Sequence, residues 1–166
     1  MYAGNHYRLM AEYNRWMNDK LYAICADISE AERRRDRGAF FKSVHGTLNH
    51  LYHGDQAWFG RFTDRPMVAG IGHEFFATFE ELRTAHKKLG DAIAAWANTL
   101  AEDSLRSPIT YTSNVDGKTR TLPAWVLVVH MFSHQIHHRG QLTTLLMQMG
   151  IDPGETDIPW LPVLAM

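Results

Sequence analysis

The segment between Pro123 and Gly150 constrains the fold most strongly. A proline suits the first turn of a helix and a glycine its end, and Leu127, Met131, Leu142 and Leu145 recur at helical spacing between them. The pattern predicts a long helix running to about Met149. Within it, the stretch HMFSHQIHHRGQ from His130 to Gln141 places His130, His134 and His138 four residues apart, with His137 beside the last. Side chains four apart on a helix share a face, about 6 Å apart along the axis. The apolar stripe extrapolates through His134 and His138, so this pair points inward. Two inward imidazolium ions would be unstable, whereas a metal ion satisfies two neutral rings together and accepts them as adjacent corners of its coordination sphere. The competing interpretation is that one or two of the four are hydrogen-bonded core histidines and the others face water. His130 lies one turn nearer the helix start. His137, rotated about 100° from His138, is expected to support a ligand or to face solvent.

Three further segments carry helical stripes. From His6 to Ile28, apolar residues recur every three or four positions without glycine or proline, which predicts a first long helix. The charged stretch SEAERRRDRG follows, its arginines interleaved with acids and free of aromatics, as in a surface linker rather than a nucleic-acid patch. Ser43 is positioned to cap a second helix, SVHGTLNHLYHGDQAWFGRF, which carries His45, His50 and His53. Gly46 and Gly54 inside it each cost up to about 1 kcal/mol relative to alanine, so close packing or a site is needed to explain them. Residues Thr63 to Ala77 are expected to form a loop with His73 exposed. Thr78 and Glu81 make a capping box for a third helix, whose buried seam includes His86, expected to be a core histidine with a hydrogen-bond partner. Between Ser107 and Pro123 the runs ITYTSN and KTRTL around V-D-G predict a β-hairpin. The proline-rich tail cannot continue as a helix, and its Trp160 and Leu161 are expected to cover a bundle end or a partner subunit. The fold class is therefore all-α, a four-helix bundle with a small β-hairpin between the third and fourth long helices, and such bundles build metal sites from inward side chains of facing helices.

The chain's 166 residues are read as a single domain, residues 1–166. A net charge of -1 gives no general attraction to nucleic acid or anionic lipid. No apolar run approaches the roughly 20 residues that span a bilayer, and the start has no secretory apolar region. The lone Cys25 excludes an internal disulfide and sits on the apolar side of the first helix, an inert core thiol. A soluble, cytoplasmic protein is the expectation.

Small neighbours around the histidines of the second helix leave room for a ligand, and His50 is the choice for a third metal corner, with His53 in reserve. The segments YNRWMNDKLY, SVHGTLNHLYHGDQAWFGRF and HMFSHQIHHRGQL, followed by PGETD, resemble the DinB-like (DinB/YfiT) proteins in order over nearly the whole chain. The resemblance implies an unusual four-helix bundle, often a homodimer, with a divalent metal on three histidines that match His50, His134 and His138. It also implies that some relatives are transferases or isomerases using low-molecular-weight thiols.

Three neutral histidines leave coordination positions open, as at catalytic rather than structural metal sites. Zinc or nickel is expected. No acid occurs between Trp125 and Met149, so an H-E-x-x-H arrangement is absent, and Asp55 lies about 140° around its helix from His50. Thiol transfer needs no such base, and a metal-dependent enzyme of the thiol-transferase type acting on small molecules is the leading expectation. A non-catalytic metal-binding stress-response or interaction protein is the alternative, and a metal-dependent hydrolase ranks below both. Arg139 and Gln141 are read either as contacts to an anionic or polar substrate or as a solvated arginine and a structural glutamine.

Overall fold

The computed structural model describes residues 3–67 and 72–164, and the expected Thr63–Ala77 loop falls partly outside them. Four long helices dominate: α1 (Ala3–Ala26), α3 (Val44–Phe62), α4 (Phe79–Ala97) and α6 (Ala124–Gln148). Two five-residue helices, α2 (Glu30–Arg34) and α5 (Glu102–Arg106), and a hairpin of β1 (Pro108–Thr112) and β2 (Thr119–Pro123) occupy the connections. The architecture is the expected all-α bundle with a small hairpin.

Local chemistry sets the helix boundaries. The Ser43 hydroxyl accepts a hydrogen bond from the Gly46 amide at 3.0 Å and opens α3. The Thr78 hydroxyl and the Glu81 carboxylate satisfy each other's backbone amides, completing the capping box of α4. Beyond α6, Gly150 takes φ 76°, a left-handed value that suits glycine and closes the helix. The hairpin pairs antiparallel with Ile109 opposite Leu122 and Tyr111 opposite Arg120.

The stretch expected to be a plain surface linker contains α2, capped by Ser29. One of its arginines is not solvated freely: the Arg33 guanidinium donates to the carbonyls of Cys25 and Ile28 at the end of α1 and lies 4.3 Å over the Phe79 ring. That cation closes the helix end and packs at once, which its charged neighbours conceal in the sequence.

α1 packs chiefly on α4, and α3 on α6, so the segments carrying the histidine motifs lie face to face. The core between the four is apolar, built around Met17, Leu48, Leu82, Ile93, Leu127 and Leu142. In the tail, Leu161 is buried whereas Trp160 is 59 % exposed, so only the leucine covers the bundle. The Tyr13 hydroxyl donates to the Thr156 carbonyl at 2.7 Å and ties the tail to α1. No helix among the described residues is long and apolar enough to cross a membrane.

Candidate metal centre

α3 contributes His50 and α6 contributes His134 and His138, and the ligand atoms of these three all lie within 4.8 Å of one another. The Nε2 atom of His50 is 3.2 Å from Nε2 of His134 and 3.0 Å from Nε2 of His138. A neutral imidazole carries a single N–H, so three nitrogens meeting at one point cannot satisfy one another as donors and acceptors. The protonation state follows from the surroundings. Burial, followed by the neighbouring imidazoles, lowers His50 to about 3. The same causes lower His134 to about 4, and burial lowers His138. All three rings are neutral at pH 7 and present lone pairs.

The orientation of each ring has a local cause. The His138 Nδ1–H donates to Gln141 Oε1 at 2.8 Å, which leaves the Nε2 lone pair facing the cluster. The Phe41 ring stacks on His50 at 3.8 Å, nearly parallel, and meets His138 edge-on at 5.4 Å. The two glycines of α3 also find their reasons. A Cβ on Gly54 would stand 2.7 Å from Cε1 of His134, so the ring lies directly on the helix backbone there. A Cβ on Gly46 would stand 2.1 Å from the Phe41 carbonyl oxygen, so the loop that carries the stacking ring lies against that helix at this glycine.

The other histidines separate from this set. His53, the reserve ligand, is buried with its ring 6.1 Å from that of His50 and stacked on Phe75. His130 meets Trp58 edge-on at 4.8 Å, and His137 is exposed beside Gln141. His45 bonds Glu74 at 3.1 Å, and His73 is exposed as expected. His86 is a core histidine with three partners, Asn18, Tyr22 and Asp55, each at 3.1 Å.

Both readings of Arg139 as a solvated or substrate-contacting cation are corrected: it is 3 % exposed and donates to the side chains of Asn14 and Asn18 on α1. Its face of α6 packs against α1, and helix periodicity alone does not reveal that a polar patch of α1 waits opposite. Gln141 answers to the structural reading, and its carbonyl holds the His138 ring. Asp55 is fully buried and bonded to Asn14 at 2.9 Å as well as to His86, so it is no base for the site. The Cys25 thiol is buried and pushed up to about 12 by burial, the inert thiol expected.

Two cavities adjoin the cluster. One, of about 270 Å3, is lined by Phe41, Asn49, His50, His53 and Glu74, toward the start of α3. Another, of about 280 Å3, lies further along α3 and is lined by His50, Trp58, Arg61, Tyr111, His130 and His134. Phe41, Glu74, Arg61 and Trp58 carry no motif of their own, and only Phe41 has an indirect signal, the need to explain Gly46. Glu74 is held below the usual carboxylate range, first by its bond to Arg34, which makes it a poor base.

The donor set fits a divalent transition metal: three neutral imidazoles converge, and one of them is oriented by a glutamine carbonyl. Three protein ligands would leave coordination positions of such an ion for water or substrate. The chain is 21 % identical over 153 residues to Protein DinB of Bacillus subtilis (strain 168), covering 88 % of this chain and 87 % of that protein. The sequence model of the DinB family matches residues 1–165, with the three histidines inside the matched span, and the chain belongs to that family.

Proposed function

We propose that the protein is a divalent-metal-dependent enzyme of the thiol-transferase type, with zinc or nickel held by His50, His134 and His138 and a low-molecular-weight thiol as one substrate. The observation that carries the reading is the meeting of three neutral Nε2 lone pairs beside two cavities. A bound divalent ion supplies Lewis acidity that stabilises a thiolate at neutral pH. The residues do the rest. Gln141 holds His138 with its lone pair inward, and the Phe41 ring fixes His50 and keeps water from its face. Gly54 gives His134 its place against α3. The nearby carboxylates support thiol chemistry over hydrolysis: Asp55 is sealed in the core, and Glu74 is engaged by Arg34 and His45.

The test is a panel of bacterial low-molecular-weight thiols and electrophilic acceptors offered to zinc-loaded and nickel-loaded protein. Metal-dependent thiol consumption, lost in His50→Ala while the helical circular-dichroism signal remains, is the expected result. Absence of turnover across the panel, with metal removal lowering only the melting temperature, would instead establish a metal-binding protein without catalysis.

A further inference from the structure

We infer that the cavity beneath the hairpin is a binding chamber for a small carboxylate-bearing molecule with an apolar body, anchored by Arg61. Arg61 stands at the end of α3, and its guanidinium lies 4.5 Å from the Trp58 ring and 5.2 Å from the Tyr111 ring. These aromatics hold the planar fork without neutralising it. It donates a long hydrogen bond, 3.4 Å, to the Thr112 carbonyl. Among the described residues no carboxylate pairs with it.

The second arginine of the chamber provides the internal contrast. Arg120 is matched to Asp116 through contacts of 2.6 and 3.0 Å, so its charge is already answered. Arg61 is half-buried at the chamber wall with no anion on its fork, so the fork is available to a ligand, most strongly through two parallel bonds to a carboxylate. Trp58, Tyr111 and Val115 give the chamber apolar walls. Its volume of about 280 Å3 lies just below the roughly 300–1,000 Å3 of drug-sized pockets, which selects a small metabolite. His50 and His134 line the same chamber, so a molecule anchored at Arg61 shares it with two of the three clustered histidines. The hairpin thereby gains a role, since it contributes Tyr111 and turn residues such as Val115 to the wall of the chamber.

As an assignment of the acceptor substrate, the inference rests on the thiol-transferase reading; as an assignment of an anion site, it is tested apart from it. NMR titrations with benzoate and with its uncharged isostere benzamide are run on zinc-loaded and on metal-free protein. Benzoate is expected to bind about tenfold more tightly than benzamide in both forms, the scale of one charge-assisted bidentate contact at a half-buried site. Arg61→Met, which keeps the apolar stem against Trp58, is expected to bring the ratio to about one with metal content unchanged, and Arg61→Lys to keep part of it. Equal binding of the two probes by the wild type, or a preference for benzoate that survives Arg61→Met, overturns the inference. Failure to take up zinc while benzoate discrimination persists strikes the metal reading alone.

Discussion

Among the described residues, two polar clusters in this bundle are built on opposite logic. In one, Asn14 and Asn18 from α1, Asp55 from α3, His86 from α4 and Arg139 from α6 pair donors with acceptors across all four long helices. In the other, His50, His134 and His138 bring acceptors together with nothing in the protein to share among them. A buried network that is largely satisfied specifies how helices meet, whereas a convergence of like lone pairs is suited to sharing a cation. The first cluster is thus expected to matter for folding and the second for binding, although α3 and α6 serve both.

The largest separation of the two is expected from Asp55→Ala. It removes the acceptor of Asn14 and His86 and the favourable negative charge that Asp55 presents to the buried Arg139, at a cost of about 3 kcal/mol or more. Chemical denaturation of metal-free protein measures it; a loss below about 1 kcal/mol would dissolve the distinction. Gly54→Ala strikes where the clusters approach each other, since the new methyl would meet His134 at 2.7 Å and the Gln135 amide at 3.1 Å. Overpacking of about 1–3 kcal/mol is expected, together with at least about tenfold weaker zinc binding in competition titrations. Gln141→Leu should weaken zinc binding by about 10–100-fold while leaving metal-free stability nearly unchanged, because Gln141 acts on the orientation of His138 alone.

The smallest effect is one of pH. Burial lowers His50 from its ordinary 6.5 to about 3 and His134 to about 4. Between these values and 6.5 the unfolded chain takes up protons that the folded chain refuses, so the contribution of these rings to stability is full above pH 6.5 and declines as pH falls through that window. The melting temperature of metal-free protein should therefore drop between pH 7 and pH 5, and less so in His50→Ala. An equal drop in that variant would place the acid sensitivity elsewhere.

What could be read in the sequence divides along the same line. Helix stripes, the Thr78 capping box, the Ser43 cap and the V-D-G hairpin are local patterns, and each appears where its chemistry requires. The clustering of His50 with His134 and His138 is legible as well, because i, i+4 spacing defines a face and small neighbours on the facing helix mark a close approach. Arg139 shows the limit. Its burial depends on Asn14 and Asn18, more than a hundred residues away, and no periodicity on α6 distinguishes that face from a solvated one. Phe41 and Arg61 escape for a related reason: they act through a loop and a hairpin whose paths are decided by packing, not by local pattern.

Whether the three histidines share one metal ion is decided by elemental analysis of natively purified protein. About one equivalent of zinc or nickel is expected in the wild type and none in His50→Ala, with the metal-free unfolding free energies of the two within about 1 kcal/mol. Less than about a tenth of an equivalent of any transition metal, with no uptake on reconstitution, would contradict it.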